Sequence, residues 1–520
     1  MTWELSVDLR PDLDAPEPIF LRIARALSSD IRRGRLRPGA ELPGSRALAQ
    51  ALGVHRNTVL AAYRELTSEG WIESQTTRGT FVSATLPESK PHRLAPAPAA
   101  RAAMPSRAGF DLGPPLDPYA RPRPPKGTLA LYGGAPDLTL VPIAELSRAY
   151  RKALRSEGRA LLDYGDPRGH ERLRSALATM ASTVRGVAAS PASVLVTRGS
   201  QMALDLCARA LLAPGDVVAV ESLGYRPAWE ALRLAGARLV PIPVDGSGLQ
   251  VEALESLCRR ERVRAVYVTP HHQYPTTVVL SPARRLALLA LCKRERIAIL
   301  EDDYDHEFHY EGRPVLPLAS ADEAGVVVYV GTLSKILAPG LRIGFVVAPE
   351  PLVERLAALR TFVDRQGDQA TERAVAELLE DDVVQRHARR ARRLYRARRE
   401  ALASALREHL GQALSFDLPA GGMALWCCAA PGIDVDAWAE RAARESVLVH
   451  TSRRFLFAPP PIGDAGASGR RGSQSPPAAF RLGFACLDED ALREAVRRLA
   501  QSLPALPPTK KHRSPSRTKA

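Results

Sequence analysis

Hydrophobic and polar residues alternate with a regular pattern through most of this 520-residue chain. From residue 127 onward, short β-branched runs such as ASVLVT, DVVAVE, RVRAVYVT, IAILED and VVVYVG are separated by longer amphipathic runs such as GSQMALDLCARALL. Strands that are apolar on both faces and are joined by helices are typical of a parallel sheet covered on both sides. The pattern predicts an α/β region with a mostly parallel sheet, in which ligands bind beyond the carboxyl ends of the strands.

The N-terminal residues follow a different order. A helical run, IFLRIARALSSDIRRG, precedes a turn, a short helix SRALAQAL, a second turn, a helix RNTVLAAYRELTSEG and a strand pair WIESQTTRGTFV. We expect Ser45 to be the N-cap of the short helix, and Gly53 and Gly70 to end the two helices because glycine adopts positive φ without strain. Two short helices followed by a β-wing predict a winged helix-turn-helix.

Charge indicates the partner of this N-terminal region. Residues 19–82 hold ten arginines and five acidic residues, and the whole chain has a formal charge of +15 and a pI near 9.9. Such an excess favours double-stranded DNA, although arginines can also simply solvate a small helical domain. In a winged helix the start of the second helix enters the major groove and flanking residues contact phosphates. The predicted DNA-binding residues are Ser45, Arg46, His55, Arg56, Asn57, Thr58 and Arg78.

Composition divides the chain into domains. Residues 83–126 contain 11 prolines in 44 positions, which predicts an extended, semi-rigid linker. We therefore expect a DNA-binding domain at 1–82, an α/β domain at 127–505 and a basic, disordered tail at 506–520. The stretch 458–479 is rich in glycine, proline and serine and predicts a mobile loop.

Polar residues follow four of the predicted strands. Bare backbone N–H groups and a hydroxyl at a helix start suit a phosphate, and a tyrosine, a carboxylate and an amine follow the other strands. Pyridoxal 5'-phosphate (PLP) requires this combination, because the amine forms a Schiff base with its aldehyde and the carboxylate keeps its pyridine nitrogen protonated. The acidic run EDDYDHE, taken alone, could equally be a solvated loop. The candidate residues are Gly199, Ser200, Gln201, Tyr225, Asp302, Tyr304, Thr332, Ser334 and Lys335.

Lys335 stands out because lysine is rare in this chain. Only eight of the 72 basic residues are lysines, so an ordinary surface charge would have been arginine. Lys335 lies just past a predicted strand, where the reactive groups of a parallel sheet collect.

Several motifs identify families. One run resembles the GntR family of bacterial repressors: GRLRPGAELPGSRALAQALGVHRNTVLAAYRELTSEGWIESQTTRGTFV. Residues 127–505 resemble a fold-type I aminotransferase of class I, and the matching motifs are TLSKILAPGLRIGF, YGDPRGHERLR and FRLGFAC. The second resemblance implies that Lys335 bonds PLP and that Thr332, Ser334 and Arg342 surround its phosphate. It also implies that Tyr164 reaches the phosphate of the neighbouring subunit in a head-to-tail homodimer, that Arg481 binds a substrate carboxylate, and that Gly134 lies close to the ligand.

One segment departs from ordinary aminotransferases. YPTT, Tyr274 to Thr277, replaces the usual Asn-Pro-Thr-Gly, so we expect Tyr304 to hydrogen-bond the phenolic oxygen of the cofactor instead. This departure weighs against transamination more than against cofactor binding.

The order of the two modules is similar to the MocR/PdxR subfamily of GntR regulators. That resemblance implies a PLP-dependent transcription regulator that senses PLP, or its aldimine with an amine or amino acid. The alternatives are a working aminotransferase with an appended DNA-binding module, and a domain that lacks PLP and serves only to dimerise.

Other classes of protein are disfavoured. No apolar run approaches the ~18 residues of a membrane span, and the acidic start lacks the order of a secretory signal, so we expect a cytoplasmic protein with no membrane partner. Six scattered cysteines form no CxxC pair and have no histidine at zinc-finger spacing, so we expect neither disulfides nor a bound metal. The arginine-rich run 386–400 fits either a solvated helix face or a further DNA contact.

Overall fold

The computed structural model describes residues 18–75, 78–87, 108–113, 124–312, 315–457 and 478–504. The chain divides into two compact units, residues 1–118 and 119–520. The predicted tail lies outside the described residues, as do most of the predicted linker and nearly all of the predicted loop at 458–479.

The N-terminal unit is a winged helix-turn-helix, as predicted. Leu27, Val59 and Leu66 are fully buried where its three helices meet. The wing is a three-stranded antiparallel sheet in which a short strand that the sequence did not predict pairs with the last strand. The elements are α1 (Ile19–Arg32), β1 (Glu41–Leu42), α2 (Ser45–Leu52), α3 (Arg56–Ser68), β2 (Ile72–Gln75) and β3 (Gly79–Val82).

Helix ends in this unit agree with the sequence in two places and differ in one. Gly53 (φ +65°) ends α2, and Gly70 (φ +78°) follows the last turn of α3. The expectation that Ser45 caps α2 is wrong, because Gly44 is the N-cap and Ser45 is the first helical residue. The Ser45 hydroxyl instead accepts a hydrogen bond from Arg56 Nε at 3.2 Å.

The second unit contains a seven-stranded sheet with helices on both faces. Apolar side chains fill both sides of its strands, with Val196, Val220, Val266 and Val330 fully buried. The elements up to the end of this sheet are β4 (Leu129–Ala130), α4 (Ile143–Leu161), α5 (Glu171–Arg185), β5 (Val194–Thr197), α6 (Ser200–Leu211), β6 (Val217–Glu221), α7 (Arg226–Leu234), β7 (Arg238–Ile242), β8 (Val244–Asp245), β9 (Gly248–Leu249), α8 (Val251–Cys258), β10 (Val263–Val268), α9 (Pro282–Glu295), β11 (Ala298–Asp303), β12 (Val327–Thr332) and β13 (Gly344–Val347).

The sheet order is β5-β13-β12-β11-β10-β6-β7. All neighbouring strands run parallel except β13, which is antiparallel to both β5 and β12. The predicted, mostly parallel sheet is confirmed. The antiparallel strand places the segment after Lys335 between the strands that carry Thr197 and Thr332.

A smaller α/β layer completes the chain. Its antiparallel sheet, ordered β14-β15-β18-β17, packs with three helices around a core that includes Trp438, Phe480 and Leu492. The elements that follow β13 along the chain, of which the first two pack on the large sheet, are α10 (Glu350–Val363), α11 (Gln369–Glu380), α12 (Val383–Leu410), β14 (Leu414–Ser415), β15 (Ala424–Ala429), α13 (Val435–Arg444), β16 (Val447–Leu448), β17 (His450–Thr451), β18 (Ala479–Gly483) and α14 (Glu489–Gln501). None of the helices described in either unit is long and apolar enough to span a lipid bilayer.

Candidate functional site

A cavity of about 390 Å³ opens where the parallel strands end. It brings together residues that the sequence scatters over 200 positions. Six of its lining residues were predicted: Gly134, Ser200, Tyr225, Asp302, Tyr304 and Lys335. Tyr267 and Thr269 were not assigned to the site, because a tyrosine or threonine in or just after an apolar strand carries no distinct signal, and Tyr274 was named only as the start of the departing YPTT segment.

Lys335 reaches this cavity from the turn after β12. Its Nζ donates a hydrogen bond to the carbonyl oxygen of Gly134 at 2.5 Å. Gly134 has φ +87°, a conformation that favours glycine, so the backbone can pass close to the amine. The lysine therefore has its amine inside the cavity.

Asp302 is buried at the carboxyl end of β11 and is only 5% exposed. Its Oδ2 accepts a hydrogen bond from the Tyr267 hydroxyl at 2.9 Å, whereas Oδ1 has no partner among the described residues. Burial raises the pKa of Asp302 to about 6, and the Lys335 charge opposes that rise. A buried carboxylate with a free oxygen is suited to a protonated ring nitrogen such as that of PLP.

The cavity has the features of an anion site at Ser200, the first residue of α6. Gly199 has φ +80° and immediately precedes α6, so the first N–H groups of the helix are open. A side chain at Gly199 would come within 2.8 Å of Arg342 Nη2, and one at Gly344 would overlap the Gly199 backbone. The close approach of β13 to the start of α6 thus requires glycine at both Gly199 and Gly344. It also places the Arg342 guanidinium beside the start of α6.

The other predicted phosphate residues divide into two groups. Thr332 and Ser334 are buried, and the Ser334 N–H donates to Thr332 Oγ1 at 3.1 Å. Gln201 does not line the cavity, because its side-chain amide donates to the Pro227 carbonyl at 2.8 Å and so joins α6 to α7.

Aromatic rings form one wall. Tyr225 and Tyr304 each meet Tyr274 edge-on, with ring centroids 5.5 Å and 6.0 Å apart. The Tyr304 hydroxyl donates to the carbonyl oxygen of His272 at 2.9 Å. Its proton is therefore directed at the backbone of the segment that precedes YPTT.

Arg481 lies on β18 and is 1% exposed. Its guanidinium lies 4.6 Å from the centre of the Tyr274 ring and close to the Tyr304 hydroxyl, yet Nε and Nη2 make no hydrogen bond to the described residues. A side chain at Gly133 would overlap Nη1, so this glycine leaves room for the guanidinium. A buried guanidinium with free N–H groups suits a ligand carboxylate.

A second buried carboxylate supports the cavity wall, and the sequence did not single it out. Glu221 accepts a hydrogen bond from Thr269 Oγ1 at 2.8 Å. Thr269 Oγ1 in turn accepts from the Tyr274 N–H at 2.9 Å. Burial raises the pKa of Glu221 to about 8.

Tyr164 lies outside the cavity of its own chain. Its side chain is 73% exposed, and its ring packs beneath the Arg365 guanidinium at 4.0 Å. The proposed contact with a neighbouring subunit therefore stays a prediction.

The predicted DNA-binding residues lie at the start of α3 and around it. His55 is the N-cap of α3, where its Nδ1 accepts from the Asn57 N–H at 3.2 Å. His55, Arg56 and Asn57 are exposed, and Thr58 is half-buried. Arg46 on α2 and Arg78 beside β3 are exposed as well.

The arginine-rich run 386–400 forms part of α12. Arg389, Arg393 and Arg396 are exposed. Arg399 is fully buried, where it pairs with Glu311 and Glu400 and donates to the Pro419 carbonyl. Arg399 therefore cannot belong to a solvated or DNA-contacting face.

Fold and cavity together define a PLP-dependent transferase domain of the aminotransferase type that follows a winged helix. The aminotransferase class I and II family matches residues 137–499, and the gntR family of bacterial regulatory proteins matches residues 20–82. The chain belongs to the MocR subfamily of gntR regulators, which combines these two modules. This fold implies PLP as the cofactor, and Lys335, Asp302 and the start of α6 fit it.

Two relatives that match along nearly the full length of this chain are regulators, and two similar solved structures are aminotransferases. The chain is 32% identical to the probable rhizopine catabolism regulatory protein MocR of Rhizobium meliloti over 95% of this chain and 96% of that protein. It is 33% identical to the HTH-type transcriptional regulator TauR of Rhodobacter capsulatus over 93% and 96% of the two chains. The multiple substrate aminotransferase of Thermococcus profundus matches 73% of this chain and 91% of its own with a TM-score of 0.66 and 30% identity. The α-aminoadipate aminotransferase LysN of Thermus thermophilus, solved with N-(5'-phosphopyridoxyl)-L-leucine, matches 73% and 92% with a TM-score of 0.64 and 30% identity.

Proposed function

We propose that this protein is a PLP-dependent transcription regulator whose aminotransferase-like domain senses PLP, or PLP joined to a small amine or amino acid. The observation that carries the proposal is a cavity that holds Lys335 and the buried Asp302, with the buried Arg481 against its Tyr274 ring, in a chain that also presents exposed His55, Arg56 and Asn57 at the start of α3.

Each group of the cavity has a task in holding the cofactor. Bound PLP supplies an aldehyde and an electron-withdrawing ring. Lys335 offers the amine, Asp302 holds a proton on the ring nitrogen, and Tyr225 offers a flat ring face. The open N–H groups at Ser200 and the Arg342 guanidinium attract the phosphate.

Arg481 sets the class of effector. Its two free N–H positions are buried, so a ligand without a carboxylate would leave them unsatisfied at a cost of about 1–3 kcal/mol. We therefore favour an amino acid or another amine that bears a carboxylate.

A head-to-tail homodimer would carry two winged helices to two half-sites. Exposed apolar side chains support such an interface, since Leu162, Tyr164, Phe362 and Val363 are each at least half exposed. The Arg365 guanidinium over the Tyr164 ring joins the two segments that hold them. In this arrangement Tyr164 extends to the phosphate of the partner subunit.

The test is an electrophoretic mobility shift with DNA from upstream of its own or a neighbouring gene, with and without PLP and a panel of amines. We expect binding that PLP changes, and a further change with an amine that bears a carboxylate. DNA binding that is unchanged by PLP at every concentration would refute the sensing role. Absence of DNA binding under all conditions would refute the role as a regulator.

Retention of Lys335 and Asp302 in one cavity, with Arg481 against its Tyr274 ring, also favours a second candidate, an active aminotransferase with a DNA-binding module. A steady-state assay with a panel of amino donors and 2-oxo acids separates the two. We expect turnover far below the roughly 1 per second at which ordinary enzymes begin. Turnover above that value would establish the enzyme.

A further inference from the structure

A cluster of four histidines lies behind the cofactor wall. Successive residues of an extended chain point to opposite faces, so Asp302 and Tyr304 line the cavity while Asp303 and Asp305 face away from it. On that far side, His271 and His272 from the segment after β10 meet His306 and His309 from the segment after β11. The His271 ring centroid lies 4.4 Å from that of His272, 4.8 Å from that of His306 and 6.5 Å from that of His309.

Several ring nitrogens of this cluster lack partners. His271 is 2% exposed, and neither of its nitrogens makes a hydrogen bond to any described residue. Neither buried nitrogen of His309 makes a hydrogen bond of normal geometry, although the Glu311 backbone lies close to the ring. Buried polar atoms without partners are rare and costly, so a group that satisfies these nitrogens is expected.

Two overlapping sets of three side chains have ligand atoms within 4.8 Å of one another: His271, His272 and His309, and His271, Asp303 and His306. The second set is already explained as an ion pair. His306 Nδ1 lies 3.0 Å from Asp303 Oδ2, which also accepts from the Tyr329 hydroxyl at 2.8 Å.

The first set resembles a metal centre in its supporting contacts. His272 Nδ1 lies 2.8 Å from Asp305 Oδ1, which leaves Nε2 as its remaining nitrogen. A carboxylate on the far nitrogen is the usual support of a metal-binding histidine. A side chain at Gly421 would overlap His272 Nε2, and Gly421 pairs with His309 in an isolated β-bridge, so the backbone keeps this position small.

We propose that His271, His272 and His309 bind one divalent transition-metal ion of the Zn²⁺ class, with Asp305 as the positioning residue for His272. Imidazole nitrogens are preferred ligands of such ions. Zn–N distances of about 2.0–2.1 Å place the nitrogens of tetrahedral ligands roughly 3.3 Å apart, so small side-chain rotations would bring the three imidazole nitrogens to the spacing that the ion requires.

The position of the ion links it to the cofactor cavity. The carbonyl oxygen of His272 accepts the hydrogen bond of the Tyr304 hydroxyl, so an ion on His272 holds that wall of the cavity in place. This proposal departs from the expectation, based on cysteine spacing, that the chain binds no metal. The sequence conceals the histidine site because its two segments are more than 30 residues apart.

The test is isothermal titration calorimetry of Zn²⁺ into the full-length, PLP-saturated protein after removal of metal and of any tag. We expect one high-affinity ion per chain, and zinc-edge X-ray absorption that shows imidazole nitrogens at about 2.0–2.1 Å. His271→Gln and His309→Gln should abolish this site, and Asp305→Asn should weaken it about 10–100-fold. Retained PLP absorbance and melting temperature show that each variant is folded.

Two variants are controls. His306→Gln and the exposed His409→Gln should leave the affinity within about twofold of the wild type, because neither belongs to the proposed set. Loss of the ion in His306→Gln together with its retention in His309→Gln would overturn the proposal in favour of the Asp303 set. Absence of a high-affinity site in the wild type would overturn it altogether and make the histidines a packed polar core.

Discussion

The two binding regions of this protein are built in opposite ways. The predicted base-reading surface comes from adjacent residues, His55, Arg56 and Asn57, whose side chains are exposed on one helix turn. The cofactor cavity takes its groups from Gly134 to Lys335, with Arg481 beyond them, and its key polar atoms are buried. The base-reading surface depends on the local sequence at one helix start, whereas the cofactor cavity depends on which strands lie side by side in the sheet.

This difference predicts how substitutions behave. Substitution of an exposed residue at the base-reading surface should change the affinity for DNA but not the stability of the fold, because in the free protein such a side chain is in contact with water. A buried residue should affect cofactor chemistry or stability, because nothing replaces its partners.

The largest effect is expected at Lys335. Lys335→Ala should abolish covalent capture of PLP, measured by borohydride reduction and mass spectrometry of the labelled peptide. Its DNA binding should persist but no longer respond to PLP. The matched control is Lys293→Ala, since Lys293 is an exposed lysine on α9. PLP attached elsewhere in Lys335→Ala would contradict the assignment.

The next effect is on stability at alkaline pH. The folded pKa of Glu221 is about 8 against 4.5 for the ordinary group, so the native state binds this proton more tightly. The contribution of this bound proton to the free energy of unfolding is complete below pH 4.5 and is lost as the pH rises through 8. At about 1.36 kcal/mol per pKa unit, the difference is roughly 5 kcal/mol. Glu221→Gln should avoid this loss.

Urea unfolding of wild type and Glu221→Gln between about pH 5 and pH 9 measures the effect. The variant should be the more stable protein at the alkaline end, and the two should converge at the acidic end. The exposed Glu252→Gln is the matched control. If the free energies of unfolding of Glu221→Gln and wild type changed with pH in the same way, ionisation of Glu221 would carry no cost in stability.

A smaller effect is expected at the base-reading surface. Asn57→Ala should weaken operator binding by about 1–3 kcal/mol, or roughly 5–150-fold, and relax sequence preference at one base pair. The melting temperature should not change, because the side chain is exposed. Gln50→Ala, an exposed position on α2, should leave affinity unchanged. An equal loss in both variants would place the base contacts elsewhere.

The smallest effect concerns the exposed arginines of α12. We expect Arg389, Arg393 and Arg396, changed together to glutamine, to alter the salt slope of DNA binding by less than about one unit, because they form a solvated helix face. Arg46→Gln should by itself remove about one unit if Arg46 contacts a phosphate. A fall of nearly three units in the triple variant would assign α12 to the DNA interface.

The sequence by itself determined the elements and their chemical content. Strand and helix periodicities, the glycines after α2 and α3, and a rare lysine after a strand are local features, and each depends on backbone propensity or on burial of one face. They sufficed for the winged helix, for the mostly parallel sheet and for five residues of the cavity, whereas Gly134 was predicted from the resemblance to aminotransferases.

Tertiary structure decided which of these residues meet. Insertion of β13 between β5 and β12 places Arg342 beside Gly199, and the helix pair α6 and α7 takes up the Gln201 side chain. The pairing of Ser45 with Arg56, the burial of Arg399 and the meeting of His271 with His309 are likewise invisible along the chain. The physical reason is that burial and hydrogen-bond partners belong to neighbours in space, and strand order is set only when the whole sheet packs.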